Sequence, residues 1–157
     1  QGRMEWGPRA LGNRSILGDA RNPKMKDILN LKIKRRESFR PFAPSILRED
    51  INEWFEINES VPYMSEVYLI KKEKRQLLPA VNHVNNTGRV QTVSKDDNLI
   101  FYKLIKKFKE ITGVPIILNT SFNENEPIVR TPQEAISCYL RTKMDILVME
   151  NWFVCRK

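Results

Sequence analysis

The sequence predicts an α/β fold, a single domain built on a mixed, twisted sheet with flanking helices. Three observations carry that expectation. The chain has 157 residues, one domain's worth. Stretches of helical and strand periodicity alternate along it. Residues 114–118 form a short apolar run of the kind buried on both faces of a sheet.

The elements follow in order. Gly2, Gly7, Pro8 and Gly12 make residues 1–12 a shaped loop, and a short strand is expected at 15–17. Asn22 and Pro23 read as a helix start, because proline's missing donor costs nothing in the first turn. Met25, Ile28, Leu29 and Ile33 recur at helical spacing, which predicts one helix over 23–36. Pro41 and Pro44 bracket an extended segment, and Asp50 is expected to cap a short helix through Trp54 and Phe55. Residues 64–70 read as a strand, 71–75 as a turn, and 89–93 as a strand entered through Asn85, Asn86, Thr87 and Gly88. A helix from Asp97 carries Leu99, Ile100, Leu104, Ile105, Phe108 and Ile111, and Gly113 suits its left-handed closing position. Thr131, Pro132, Gln133 and Glu134 form a capping box for a helix to about Arg141. Residues 146–149 are expected as the last core strand.

The net charge is +8, from 27 basic and 19 acidic residues, and it is segregated. Residues 1–48 hold 12 Lys and Arg against Glu5, Asp19, Asp27 and Glu37, so all the excess lies there. A local excess suggests an anionic partner, with phosphate the natural candidate, although Lys32, Lys34, Arg35 and Arg36 also fit the wet face of a helix. No apolar run approaches the length of a bilayer span. Two cysteines and one histidine support neither a disulfide framework nor a zinc module, and Cys138 and Cys155 read as small apolar residues. The chain begins at Gln1 with no basic-then-apolar leader, so a cytoplasmic location and a longer parent protein are expected.

Four polar clusters interrupt the apolar elements. GRMEWGPRALGNRSI sets Arg3, Arg9 and Arg14 in a glycine loop where arginines can grip phosphate oxygens. KIKRRESFRPFAPS places Lys34 and Arg40 near a helix end that prolines stiffen, with Ser45 just beyond. TGRVQTV puts Arg89 and Gln91 on the strand face opposite Val90. LNTSFN sends Asn119, Thr120 and Ser121 off the carboxyl end of an apolar strand, where open α/β sheets commonly bind ligands.

These strings, in this order and joined by HVNNTGRVQTV, TGVPIILNTSFN and EPIVRTPQEA, resemble the C-terminal domain of the O-carbamoyltransferase family, which includes nodulation, cephamycin and aminoglycoside carbamoyltransferases. The resemblance covers nearly all of residues 1–157. It implies a domain similar to the threonylcarbamoyl-adenylate synthases that makes carbamoyl adenylate from carbamoyl phosphate and magnesium-bound ATP. An N-terminal metal-binding domain, with an iron-type metal and absent from this chain, would pass the carbamoyl group to an acceptor hydroxyl. The fragment alone would not complete transfer. Carried over by motif, Lys34, Arg40 and Arg89 would be catalytic, and Arg9, Arg14, Ser45, Asn119, Thr120 and Ser121 would bind substrate or nucleotide. No metal ligands are expected in this domain.

The family commonly reads HVDGTARVQTV where this chain has Asn85, Asn86 and Gly88, a change that bears on the turn before Arg89. His83 lies in the same segment and reads as a structural hydrogen-bonding residue. The competing reading is an RNA-binding module using the basic segment. It is disfavoured because Trp54, Phe55, Tyr102 and Phe108 fall at core positions and not beside the cations as stacking platforms. A purely structural lid is a third reading. No membrane partner is expected.

Overall fold

The computed structural model describes residues 1–156. At its centre is a four-stranded sheet of strands β1 (Ser15–Gly18), β2 (Ala43–Leu47), β5 (Gln91–Val93) and β6 (Ile116–Ser121) in the order β1-β6-β2-β5. β6 runs antiparallel to both β1 and β2, while β2 and β5 are parallel, so the sheet is mixed as the sequence predicts. Ile116 and Leu118 belong to the main core, whereas Ile117 packs with Leu47, Val93, Phe101, Tyr102 and Ile105 beneath a helix. The apolar run is thus buried on both faces.

That helix, α3 (Leu99–Thr112), is framed by its sequence. Asn98 accepts a hydrogen bond from the Phe101 amide at 3.0 Å, and Gly113 closes the helix at φ 76. Helix α4 (Pro132–Arg141) starts with proline in its first turn, and Thr131 accepts from the Glu134 amide at 3.3 Å. The capping box is displaced by one residue: the Glu134 carboxylate takes the Arg130 amide, not that of Thr131.

Several expectations are corrected. The helix expected over 23–36 is a short α-turn, α1 (Met25–Asp27), that continues as a π-helical turn over Ile28–Ile33. Asn22 forms a turn before it, and Lys34 donates its amide to Leu29, five residues back. Asp50 precedes helix α2 (Ile51–Trp54) without capping it, because its carboxylate is spent on Lys109 at 2.8 and 2.9 Å. Only Val67–Leu69 of the strand expected at 64–70 forms, as β3, and residues 72–77 are a 3₁₀ helix.

The strand expected at 89–93 is broken. β4 (Thr87–Arg89) pairs with β3 in a separate two-stranded ribbon, and after Val90 the chain enters the main sheet as β5. Residues 146–149 are not a core strand. They form β7 (Ile146–Met149), which pairs with β8 (Trp152–Cys155) in a peripheral hairpin. Leu147 alone of β7 is buried, every residue of β8 is exposed, and Cys155 is therefore not the packed apolar residue expected.

Candidate functional site

The broken strand and the unwound helix both serve one place. Pro8, Arg9 and Ala10 of the N-terminal loop, Arg36 beyond the π-turn, Pro41 to Ala43 at the start of β2, Met64, Arg89, and Asn119 to Ser121 at the end of β6 line a cleft of about 120 Å³. That space admits a small anion such as phosphate. The proline-stiffened segment and the carboxyl end of β6 meet here as paired neighbours in the sheet, Ala43 opposite Asn119.

The cleft is cationic without a counter-charge. Arg9, Arg36 and Arg89 line it, and among the described residues no carboxylate lines it or pairs with any of the three. Burial, and secondarily Arg9, push the Arg89 guanidinium below its ordinary pKa, and its Nε is buried with no hydrogen-bond partner among the described residues. Burial and Arg40 do the same to Arg36, which lies 5.0 Å over the Phe42 ring and donates from Nε to Asn30. Desolvated like charges held close together are relieved by a bound anion.

Of the expected site residues, Arg9, Arg89, Asn119, Thr120 and Ser121 line the cleft. Lys34 lies behind it. Its ammonium is buried and donates to Ser121 O at 2.6 Å, Asn123 O at 2.8 Å and Asn123 Oδ1 at 2.6 Å, so it organises the loop leaving β6 and is not free to grip a phosphate. Burial pushes this ammonium down to about 7. Arg40 is exposed outside the cleft and pairs with Glu37 at 3.1 Å. Arg14 spends its guanidinium on the carbonyls of Gln1, Gly2, Asn13 and Arg130, which makes it a brace of the N-terminal loop. Ser45 is fully buried and donates to Gln91 Oε1 at 2.6 Å. Gln91 is itself buried, not set on an open face beside Arg89.

Arg36 is the cleft residue that sequence reasoning passed over. It follows Arg35, whose left-handed φ of 45 redirects the chain beyond the π-turn, and sequence periodicity does not reveal that change of direction. The departures at 85–88 leave the turn intact. Asn86 takes the left-handed conformation at φ 62 that asparagine tolerates better than most side chains, and Asn85 Oδ1 accepts from the Thr87 hydroxyl at 2.7 Å. A Cβ at Gly88 would stand 3.1 Å from Pro44 and 3.2 Å from Phe55, so the close approach of those rings suits glycine. His83 holds the same turn through Thr87. The Cys138 thiol is buried and pushed up to about 11, chiefly by that burial, which suits packing over nucleophilic chemistry.

The family profile described as Carbamoyltransferase C-terminus matches residues 1–156. The chain is 49% identical to the nodulation protein NolNO of Sinorhizobium fredii, over all of this chain and 24% of that protein. It is 47% identical to the nodulation protein NolO of Bradyrhizobium diazoefficiens, over all of this chain and 29% of that one. It is 41% identical to the nodulation protein U of Rhizobium tropici, over 78% of this chain and 21% of that protein. This sequence therefore spans less than a third of the length of these relatives, and over that span it belongs to the carbamoyltransferase C-terminus family.

Proposed function

We propose that the cleft holds the phosphoryl end of carbamoyl phosphate and that this region makes carbamoyl adenylate from carbamoyl phosphate and ATP. The observation that carries the reading is the convergence of Arg9, Arg36 and Arg89 on a small cleft lined by no carboxylate. Partly desolvated cations such as Arg36 and Arg89 stabilise the charge that develops on phosphoryl oxygens in the transition state, with the exposed Arg9 at the rim. The balance is that one water is consumed, phosphate and pyrophosphate leave, and the carbamoyl carbon ends bonded to an oxygen on the α-phosphorus of the adenylate. Magnesium would arrive with the nucleotide, held on its phosphate oxygens. Passage of the carbamoyl group to an acceptor hydroxyl belongs to the remaining length that the relatives possess.

The test is calorimetric titration with carbamoyl phosphate, then ATP and magnesium, followed by an assay for released pyrophosphate. Binding of carbamoyl phosphate with carbamoyl-dependent pyrophosphate release supports the reading, and absence of carbamoyl phosphate binding overturns it.

One observation favours a second reading, RNA binding. Trp54, Phe55 and Tyr102 are buried as expected, but Trp6 is fully exposed between Arg3 and Arg9, and Phe39 is 73% exposed beside Arg40. Exposed aromatics among cations are the stacking platforms of single-strand binders. Titration with a single-stranded RNA at physiological salt decides it, since the enzymatic reading expects no RNA affinity there.

A further inference from the structure

A row of buried polar side chains runs from the cleft lining down beneath it, contributed by three adjacent strands: Asn119 of β6, which lines the cleft, and Ser45 of β2 and Gln91 of β5. Ser45 and Gln91 are direct partners in the parallel register, so they share a face of the sheet. The Ser45 hydroxyl donates to Gln91 Oε1 at 2.6 Å, and Asn119 Nδ2 lies 3.1 Å from Ser45 Oγ and 3.0 Å from Gln91 Oε1. Buried amides are costly unless their groups are paired, and in this row the Asn119 Oδ1 alone is left without a partner among the described residues.

The row ends on the backbone of the N-terminal loop. Gln91 Nε2 donates to the Leu11 carbonyl at 2.9 Å, and Asn119 Nδ2 is 3.2 Å from the Ala10 carbonyl. Those two carbonyls directly follow Arg9. The same loop is held from its other side by the Glu5 carboxylate, which accepts from the Leu11 and Asn13 amides. Arg9 itself is exposed and unpaired among the described residues, so only its backbone is fixed.

We infer that Ser45, Gln91 and Asn119 are positioning residues, a buried relay that clamps the Ala10 and Leu11 carbonyls to the sheet and so presents Arg9 to the bound anion. This rests on the cationic-cleft reading above. It differs from the ligand-binding roles that family resemblance implies for Ser45 and Asn119. A loop ordered in advance spares the ligand the entropy of ordering it, so loss of the clamp weakens binding through Arg9 alone.

The test is a pair of double-mutant cycles read by calorimetry with inorganic phosphate. Gln91→Met keeps the side-chain volume and removes the donor to Leu11. It is expected to weaken phosphate binding five- to tenfold, to have no further effect in an Arg9→Ala background, and to keep its full effect in an Arg89→Ala background. An equal loss in the Arg9→Ala background overturns the inference, because the effect would then be general to the fold or act through β5. Gln91→Leu, which also removes the donor to Leu11 and adds no charge, replaces Gln91→Met if the latter fails to fold. Amide hydrogen exchange without ligand gives an independent readout: protection at residues 9–13 should fall in the variant while β6 is unchanged. Should wild type bind no phosphate, the cleft reading fails, and the exchange result still decides whether the clamp exists.

Discussion

Arg89 and Arg36 are the residues on which the cleft depends most, because each is partly desolvated and neither has a carboxylate partner. Arg89→Ala or Arg36→Ala should weaken phosphate affinity more than tenfold, about 1.4 kcal/mol or more, with the fold retained. Arg40→Ala should cost less than threefold, since that side chain stands outside the cleft and already pairs with Glu37. Calorimetry with inorganic phosphate separates the two outcomes. Lys34 gives a pH signature. Burial lowers its ammonium from 10.5 to about 7, so between those values the unfolded chain binds more protons than the folded one. Stability from this group therefore rises with pH across that window, and its burial penalty is fully present below about 7. Denaturant unfolding at pH 6.5 and pH 9 should show wild type gaining more stability than Lys34→Met at the higher pH. Of the residues singled out in the sequence, Arg9, Arg89, Asn119 and Ser121 line the one cleft. Whether a given cation faces an open cleft or a carbonyl was not legible, because Arg14 and Arg9 share one glycine-rich loop and differ only in what folds against them.

Elements whose ends are set by local chemistry were read well. Asn98 and Gly113 bound α3, and Thr131 with Pro132 starts α4, because capping side chains and left-handed glycines act within a few residues. Asn98→Ala removes the cap on the Phe101 amide and also the bond from Asn98 Nδ2 to Asn13 Oδ1, so it should cost about 1–2 kcal/mol by denaturant unfolding. Elements shaped by distant partners were misread. The segment from Met25 has helical periodicity, yet it widens into a π-turn as Lys34 reaches acceptors on the loop after β6, 87 and 89 residues away. The strand at Arg89 looks continuous by composition but divides between two sheets, and the division leaves Arg89 in the cleft while Gln91 lies under it. Short-range pattern carries no information about such a switch.

For the whole molecule, β6 contributes to both cores, with Ile116 and Leu118 in one cluster and Ile117 in the other, and β2 does the same through Ile46 and Leu47. Leu118→Ala should destabilise the protein by about 2–5 kcal/mol, as truncation at a fully buried core position does, and chemical denaturation would measure it. Truncation of the exposed Leu140 should shift the same midpoint by no more than about 0.5 kcal/mol. The mixed sheet with helices against it was foreseeable because alternating periodicity leaves few ways to bury the apolar faces. Amino-acid order alone determined the class of fold, the ends of the capped helices, the basic character of the first third and the motifs that mark the family. Only tertiary structure decided which arginines are left without partners, that Lys34 is buried behind the cleft, and that Ser45, Gln91 and Asn119 meet in one row. The physical reason is that burial and pairing depend on groups tens of residues apart in sequence, and a charge becomes a binding group only where the fold removes its water and supplies no counter-ion.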